Sequence, residues 1–271
     1  MKINGETKII GFLGCTYKTS KMYAMYNTAF EKLNLNYVYI PFIVDNLKKA
    51  VDGVRNLGIK AVGVTIPYKI KIIKYLDQLD KNAKRIGAVN IVINNNGKLI
   101  GGNTDGLGGV KALKEVTEIT NKKIILLGAG GAARGLAFAL SDEKGKVIIL
   151  NRTLVSAKNL AASVGCKFAT LDKLKREIED ADIIINATSV GMAPDENQSL
   201  VPKELLHPNL VVQEVASNPK ETKLIKEAKA IGCKIVYADR MLLWQCVLKF
   251  KKYTGIEPPV KVMEEAIKTV E

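Results

Sequence analysis

Residues 63–69, GVTIPYK, run as a β-branched strand, stop at Pro67 and then present Lys69. Lys69 alone reads as one more solvated lysine in a lysine-rich chain. At the end of a strand, where open α/β sheets place their chemistry, an ammonium also reads as an acid or base. Two further stretches bear on the choice. Asn90 closes GAVN, and Asn103-Thr104-Asp105 lies within GGNTDG. Singly, each is a turn residue, because Asn, Asp and Gly build turns. Taken with Lys69 they form a set of one ammonium, one carboxylate and amide donors. That is the inventory needed to move a proton while a hydride passes to or from a nicotinamide.

A second kind of site lies downstream. LLGAGGAARG follows an apolar run and opens a helical one. Gly128 allows the tight turn, Gly130 lets backbone amides approach a diphosphate, and Gly131 and Ala132 begin the helix whose N-terminus carries partial positive charge. A glycine-rich loop alone is weak evidence, and a plain structural turn is the alternative. The strand–loop–helix order and a second strand at the expected distance decide for the dinucleotide reading. That second strand ends in Asn151-Arg152-Thr153. NAD enzymes usually carry an acid there for the ribose hydroxyls, which would repel a 2′-phosphate. Arg152 accepts one in a charge-assisted contact, so NADP is expected over NAD. Thr153 and Ser156 add hydroxyl donors.

The elements that must position these groups alternate along the chain. Strands are expected over 7–14, 37–44 and 60–66, with helices over 23–34 and 46–58. Residues 88–105 read as a hairpin turning on Asn-Asn-Gly. The β-α-β-α-β order calls for a parallel sheet. A second series of strands, 122–127, 146–150, 182–188, 210–215 and 233–238, consists of continuous apolar runs, buried on both faces. Two helices follow residue 240. The expectation is an α/β protein with a domain over 1–106, a second over 107–238, and C-terminal helices over 239–271 that return to the first.

The totals exclude other classes. The chain has 271 residues, 47% hydrophobic and 25% charged, a core-forming balance with room for two domains. Cys15, Cys166, Cys233 and Cys246 are dispersed, and His207 is the only histidine, so no metal site assembles by spacing and a Ser-His-Asp hydrolase has no support. The thiols are expected to be reduced and packed. The net charge of +14 is spread along the chain, aromatics are only 6%, and no nucleic-acid motif is present. A field of that sign suits a small anionic ligand rather than nucleic acid. The start, MKINGETK, lacks the apolar core of a signal peptide, and the apolar run at 124–133 is too short to span a bilayer. The expectation is a cytoplasmic protein, monomeric or homodimeric.

Taken in order, GVTIPYK, IGAVN, GGNTDG, GAGGAA, NRT, NATSVGM and ML..Q resemble the shikimate dehydrogenase family over nearly the whole chain. The resemblance implies an N-terminal substrate domain, a Rossmann-type NADP domain and a cleft between them. It implies reversible reduction of 3-dehydroshikimate to shikimate with NADPH, in aromatic amino acid biosynthesis. Carried over by position, Lys69 and Asp105 become the catalytic pair. Ser20, Thr65, Asn90 and Gln245 become substrate contacts. Gly128, Gly130, Gly131, Ala132, Asn151, Arg152, Thr153, Thr188, Ser189, Met192 and Met241 become cofactor contacts, with 188–192 lining the nicotinamide. The pattern also departs from the family. Of two serines expected to grip the substrate carboxylate, Ser20 stays and the second is Met22, flanked by Thr19 and Tyr23 where histidine and proline are usual. Gly63 replaces an asparagine, Ser217 a tyrosine and Ala238 a glycine. Each lost buried hydroxyl against a carboxylate costs on the order of 1–3 kcal/mol. Three readings follow: a shikimate dehydrogenase with a drifted grip, a relative acting on quinate, an aminoshikimate or another ring hydroxy acid, and a nucleotide-binding regulator without turnover.

Overall fold

The computed structural model of the chain describes residues 3–14 and 21–270. It divides into two compact units, Met1–Thr104 with Leu242–Glu271, and Asp105–Met241.

The first unit opens with β1 (Lys8–Gly14), α1 (Lys21–Lys32), β2 (Tyr37–Ile43), α2 (Leu47–Asn56) and β3 (Ala61–Val64). The short α3 (Tyr68–Lys71), β4 (Gln78–Leu79) and α4 (Lys81–Ile86) lead into β5 (Ile91–Asn95) and β6 (Lys98–Gly102). The strands form one sheet in the order β2-β1-β3-β5-β6-β4. β1 runs parallel to β2 and β3, whereas β5 is antiparallel to both β3 and β6. The hairpin turns on Asn96 and Gly97, both at positive φ, the pairing a tight two-residue turn demands. Asp80 caps α4 by accepting from Ala83 N–H, and Gly87 ends it in the left-handed conformation, which aims the chain at Asn90.

The second unit begins with α5 (Asp105–Leu113) and continues through β7 (Lys123–Leu127), α6 (Gly131–Asp142), β8 (Lys146–Leu150), α7 (Leu154–Val164) and β9 (Lys167–Ala169). Then come α8 (Leu174–Ile178), β10 (Ile183–Asn186), β11 (Val211–Glu214), α9 (Lys223–Ile231) and β12 (Lys234–Val236). Every strand pair is parallel, in the order β12-β11-β10-β7-β8-β9. Strand order reverses between β7 and β10, where doubly wound sheets bind ligands beyond their carboxyl ends.

The last helices are α10 (Ala238–Thr254) and α11 (Val260–Lys268). Phe250, Tyr253 and Met263 share a core with Ile10, Met25, Tyr26, Phe30 and Tyr39 of the first unit. Val62, Val64, Val51, Val54 and Leu99 form its other core. β3 therefore turns Val62 and Val64 to one face and Ala61 and Gly63 to the other.

The unit borders fall at Thr104/Asp105 and after Met241, inside α10. Close packing explains both. A Cβ built on Gly106 would stand 1.9 Å from the carbonyl oxygen of Gly135, so α5 lies directly on the backbone of α6. Met241 Sδ would lie 3.5 Å from a Cβ on Gly109 of the same helix α5.

Candidate active site

In the first unit the strand ends at Val64, two residues earlier than the periodicity predicts. The Thr65 carbonyl instead accepts from Tyr68 N–H at 2.8 Å, folding 65–68 into a turn that opens α3 and sets Lys69 in it. Lys69 is half-buried, and its carbonyl accepts from Val89 N–H at 2.8 Å. That bond ties the lysine segment to Asn90. Asn90 is wholly buried; its Oδ1 accepts from Thr104 N–H at 2.9 Å and its Nδ2 donates to Thr104 Oγ1 at 3.1 Å. Asn103 Nδ2 donates to the Ala88 carbonyl at 2.9 Å. Lys69, Asn90, Asn103 and Thr104 are thus brought together by short bonds between the end of β3 and the two ends of the hairpin. Asp105 follows Thr104 directly, is 1% exposed and starts α5 in the second unit. Thr65 is half-buried in the turn just beyond β3, and Gln245 is half-buried on α10.

The departures have physical partners. A Cβ at Gly63 would meet Tyr39 Oη at 3.3 Å and Tyr253 Oη at 3.4 Å, so two phenols fill the space that a side chain there would take. Met22 is 8% exposed within the aromatic core, and Tyr39 Oη lies 3.9 Å from its Sδ. Cys15, Thr19 and Ser20 lie outside the described residues. Ser217 is exposed, and Ala238 is buried at the start of α10.

In the second unit three strands end on one rung, with Leu127 opposite Leu150 on one side and Asn186 on the other. The loops beyond them carry the expected cofactor residues. Gly128 has φ +110°, and a Cβ there would stand 3.1 Å from the Ala187 carbonyl oxygen and from Thr188 Cγ2, so only glycine lets the two loops touch. Gly130 is exposed, with nothing within 4 Å of its Cβ direction. Gly131 and Ala132 form the first turn of α6, whose leading amides lack helical partners. Asn151 Nδ2 donates to the Thr153 carbonyl at 3.0 Å, bracing the segment that displays Arg152. Arg152 is exposed and has no carboxylate partner among the described residues; Thr153 heads α7 without a side-chain capping bond. An open glycine-lined turn at a helix N-terminus, beside an exposed arginine, fits a dinucleotide with an extra phosphate on its ribose. Ser189 is exposed and Met192 half-buried, whereas Met241 is 2% exposed and packs toward Gly109.

Sequence reasoning missed a buried carboxylate behind this edge. Glu214 is 1% exposed and accepts from Asn186 Nδ2 at 3.0 and 3.1 Å, Thr222 Oγ1 at 2.9 Å and Ala216 N–H at 2.9 Å. Burial pushes its carboxyl above the usual range, against the pull of those donors. The signal was present, since Gln213-Glu214 interrupts an otherwise apolar strand.

A hollow of about 730 Å³ in the second unit lies at the opposite, amino-terminal strand edge, beside Lys123, Lys146 and Lys167. Lys123 pairs with Glu177 and Asp180, and Asp182 with Lys122, so the three acids that line the hollow are already paired. Cys166, Cys233 and Cys246 are free thiols, and burial pushes Cys166 and Cys246 up to about 11. Among the described residues no group of three His, Cys, Asp or Glu is placed to hold a metal ion, and no helix is long and apolar enough to cross a membrane.

Comparison with known proteins assigns both units. Residues 13–92 match the shikimate dehydrogenase substrate binding domain, and residues 110–204 match shikimate / quinate 5-dehydrogenase. The chain is 44% identical to a shikimate dehydrogenase (NADP(+)) of Methanobrevibacter smithii, over 98% of each chain. A crystal structure of a shikimate dehydrogenase in complex with NADP+ superposes with a TM-score of 0.93 at 42% identity, covering 99% of this chain and 97% of that one. A Thermus thermophilus shikimate 5-dehydrogenase solved with NADP(H) and shikimate gives 0.89 at 34% identity, covering 97% and 99%.

Proposed function

We propose that this chain, which belongs to the shikimate dehydrogenase family, interconverts 3-dehydroshikimate and shikimate as an NADP-dependent oxidoreductase. One observation carries the reading above the others. The Lys69–Asn90–Thr104 set and the Gly128–Arg152 set occur in a single chain that matches its relatives from end to end.

The roles follow from the chemistry of the groups. When bound, the nicotinamide cofactor supplies the hydride to the ketone carbon and accepts it in the reverse direction. Lys69 gives a proton to the ketone oxygen as the alcohol forms and takes it back on oxidation. Asp105 orients a substrate hydroxyl by accepting its hydrogen bond. Thr65, Asn90, Gln245 and Ser20 hold substrate oxygens; Asn90 is pre-set for this by its bonds to Thr104. The amides of Gly130, Gly131 and Ala132 receive the diphosphate, Arg152 and Thr153 the 2′-phosphate, and Thr188, Ser189 and Met192 the nicotinamide. The substrate is a small carboxylate, the active species a monomer or homodimer in the cytoplasm, and nucleic acid is no partner.

Lys69→Ala is the test of this assignment. Turnover falls by about 10²–10⁴-fold, the usual contribution of a positioned acid–base group, while substrate affinity stays within a few-fold. Turnover within a few-fold of the parent protein would remove Lys69 from the chemistry.

A further inference from the structure

Glu214 ends β11 on the same rung where Asn186 ends β10. All its bonds run inward: Asn186 Nδ2, Thr222 Oγ1 and Ala216 N–H donate to it, so its two oxygens act only as acceptors. A carboxylate in that role is satisfied in its ionised form. Among the described residues no Lys or Arg is paired with it, so its buried carboxylate is held by these hydrogen bonds alone.

Its effect is on Asn186. Because Glu214 takes the amide NH2 of Asn186, the amide oxygen must point the other way. There it accepts from Thr188 N–H at 3.1 Å and Thr188 Oγ1 at 2.7 Å. Thr188 Oγ1 in turn accepts from Val190 N–H at 3.1 Å, and Asn186 Nδ2 reaches the Val190 carbonyl at 3.1 Å. The chain of bonds therefore fixes the backbone from 187 to 190. It does so against Gly128, whose missing side chain leaves room for Ala187 and Thr188. Reversing the donor–acceptor sense at Glu214 would turn the Asn186 amide and withdraw its oxygen from Thr188.

We infer that Glu214 is a positioning residue: through Asn186 it sets Thr188–Met192, the seat of the nicotinamide, without touching cofactor or substrate. The inference rests on the reading of 188–192 as that seat. It assigns the carboxylate a role in aligning the hydride-transferring ring and none in holding the phosphates.

The test uses the full-length protein with Glu214→Gln, Asn186→Asp and the double variant. The Glu214→Gln change keeps the shape of the side chain but presents an NH2 to groups that already donate. In the double variant the 186–214 pair is matched again, with the NH2 now on residue 214 and the carboxylate oxygens on residue 186 facing both it and Thr188, while the Val190 carbonyl loses its donor. Three readouts are taken: fluorescence of the reduced nicotinamide on binding NADPH, affinity for 2′,5′-ADP, and kcat with its deuterium isotope effect for NADP+ reduction by shikimate. A misplaced ring can lower turnover by about 10²-fold. Glu214→Gln is expected to lower kcat on that order, alter the bound-nicotinamide fluorescence and raise the isotope effect, with 2′,5′-ADP affinity within about twofold. The double variant regains part of kcat and moves the fluorescence back toward the parent, the Val190 bond being the part not restored. Should Glu214→Gln not fold, the double variant and Glu214→Asp carry the comparison by the same readouts. Parent-like fluorescence and kcat in Glu214→Gln would overturn the inference alone. So would a double variant no better than the single, or 2′,5′-ADP affinity lost in step with activity, since both describe general damage. A parent protein that binds NADPH without oxidising shikimate would instead strike at the proposed function, and the fluorescence comparison would still decide on Glu214.

Discussion

The segments of Lys69 and Asn90 are tied by backbone bonds, Val89 N–H to the Lys69 carbonyl and Val64 N–H to the Asn90 carbonyl. The types of both residues and the place of Lys69 just beyond a strand were legible in the sequence, as were the turn at Gly128 and Arg152 beyond the next strand of its sheet. The bonds that make the set were not, because each joins residues 14 to 26 apart. Tyr39, Tyr253 and Glu214 were illegible for a stronger reason. Phenols look like ordinary core aromatics, and Asn186, one of the partners of Glu214, stands 28 residues away. Arg152 gives the sharpest residue-scale prediction. A charge-assisted contact contributes about 1.5–3 kcal/mol, so Arg152→Ala should raise KM for NADP+ roughly tenfold to a hundredfold. NAD+, lacking the 2′-phosphate, should be nearly indifferent. Steady-state kinetics with both cofactors check this, and an equal effect on both would remove Arg152 from the phosphate.

The long elements were legible for a plain reason. KIILL, KVIIL and IIIN are apolar without alternation, which only a strand covered on both faces requires, and each is a central strand of the parallel sheet. Gln78–Leu79 and Lys167–Ala169 were not, because two or three residues carry no period and their pairing is tertiary. One link between elements titrates. Arg55 of α2 reaches Asp77 through Nη1 at 2.7 Å and Nη2 at 3.2 Å, and Leu99 N–H of β6 donates to Asp77 at 2.6 Å. The Arg55 guanidinium, followed by that backbone donor, holds the Asp77 carboxyl below its usual range. A depressed folded-state value means stability that is present above the unfolded-state pKa and lost as pH falls through the folded one. The pair is partly exposed, so the effect is modest. Melting curves from neutral pH downward should show Asp77→Asn less stable than the parent at neutral pH, with the gap closing in acid. A gap constant with pH would assign the effect to packing.

At the scale of the whole molecule, the formal charge of +14 meets a substrate and a cofactor that are both anions. A field of this sign speeds encounter with anionic ligands and is screened over about 8–10 Å at physiological salt. The value of kcat/KM for shikimate should therefore fall as sodium chloride rises from about 0.02 to 0.5 M, with kcat much less affected. A flat profile would leave the charge without a part in recognition. In the proposed function Lys69 and the substrate contacts belong to the first unit, and Asp105 and the cofactor contacts to the second. The central claim joins them in one reaction. Its most direct test is NADP+ reduction by the purified protein with shikimate, with quinate and NAD+ run alongside. The account predicts rapid, NADP-selective turnover of shikimate, with the two tyrosines at Gly63 and the buried Met22 compatible with substrate binding. Tight NADP binding with no turnover of shikimate would contradict it and move the substrate to another ring hydroxy acid.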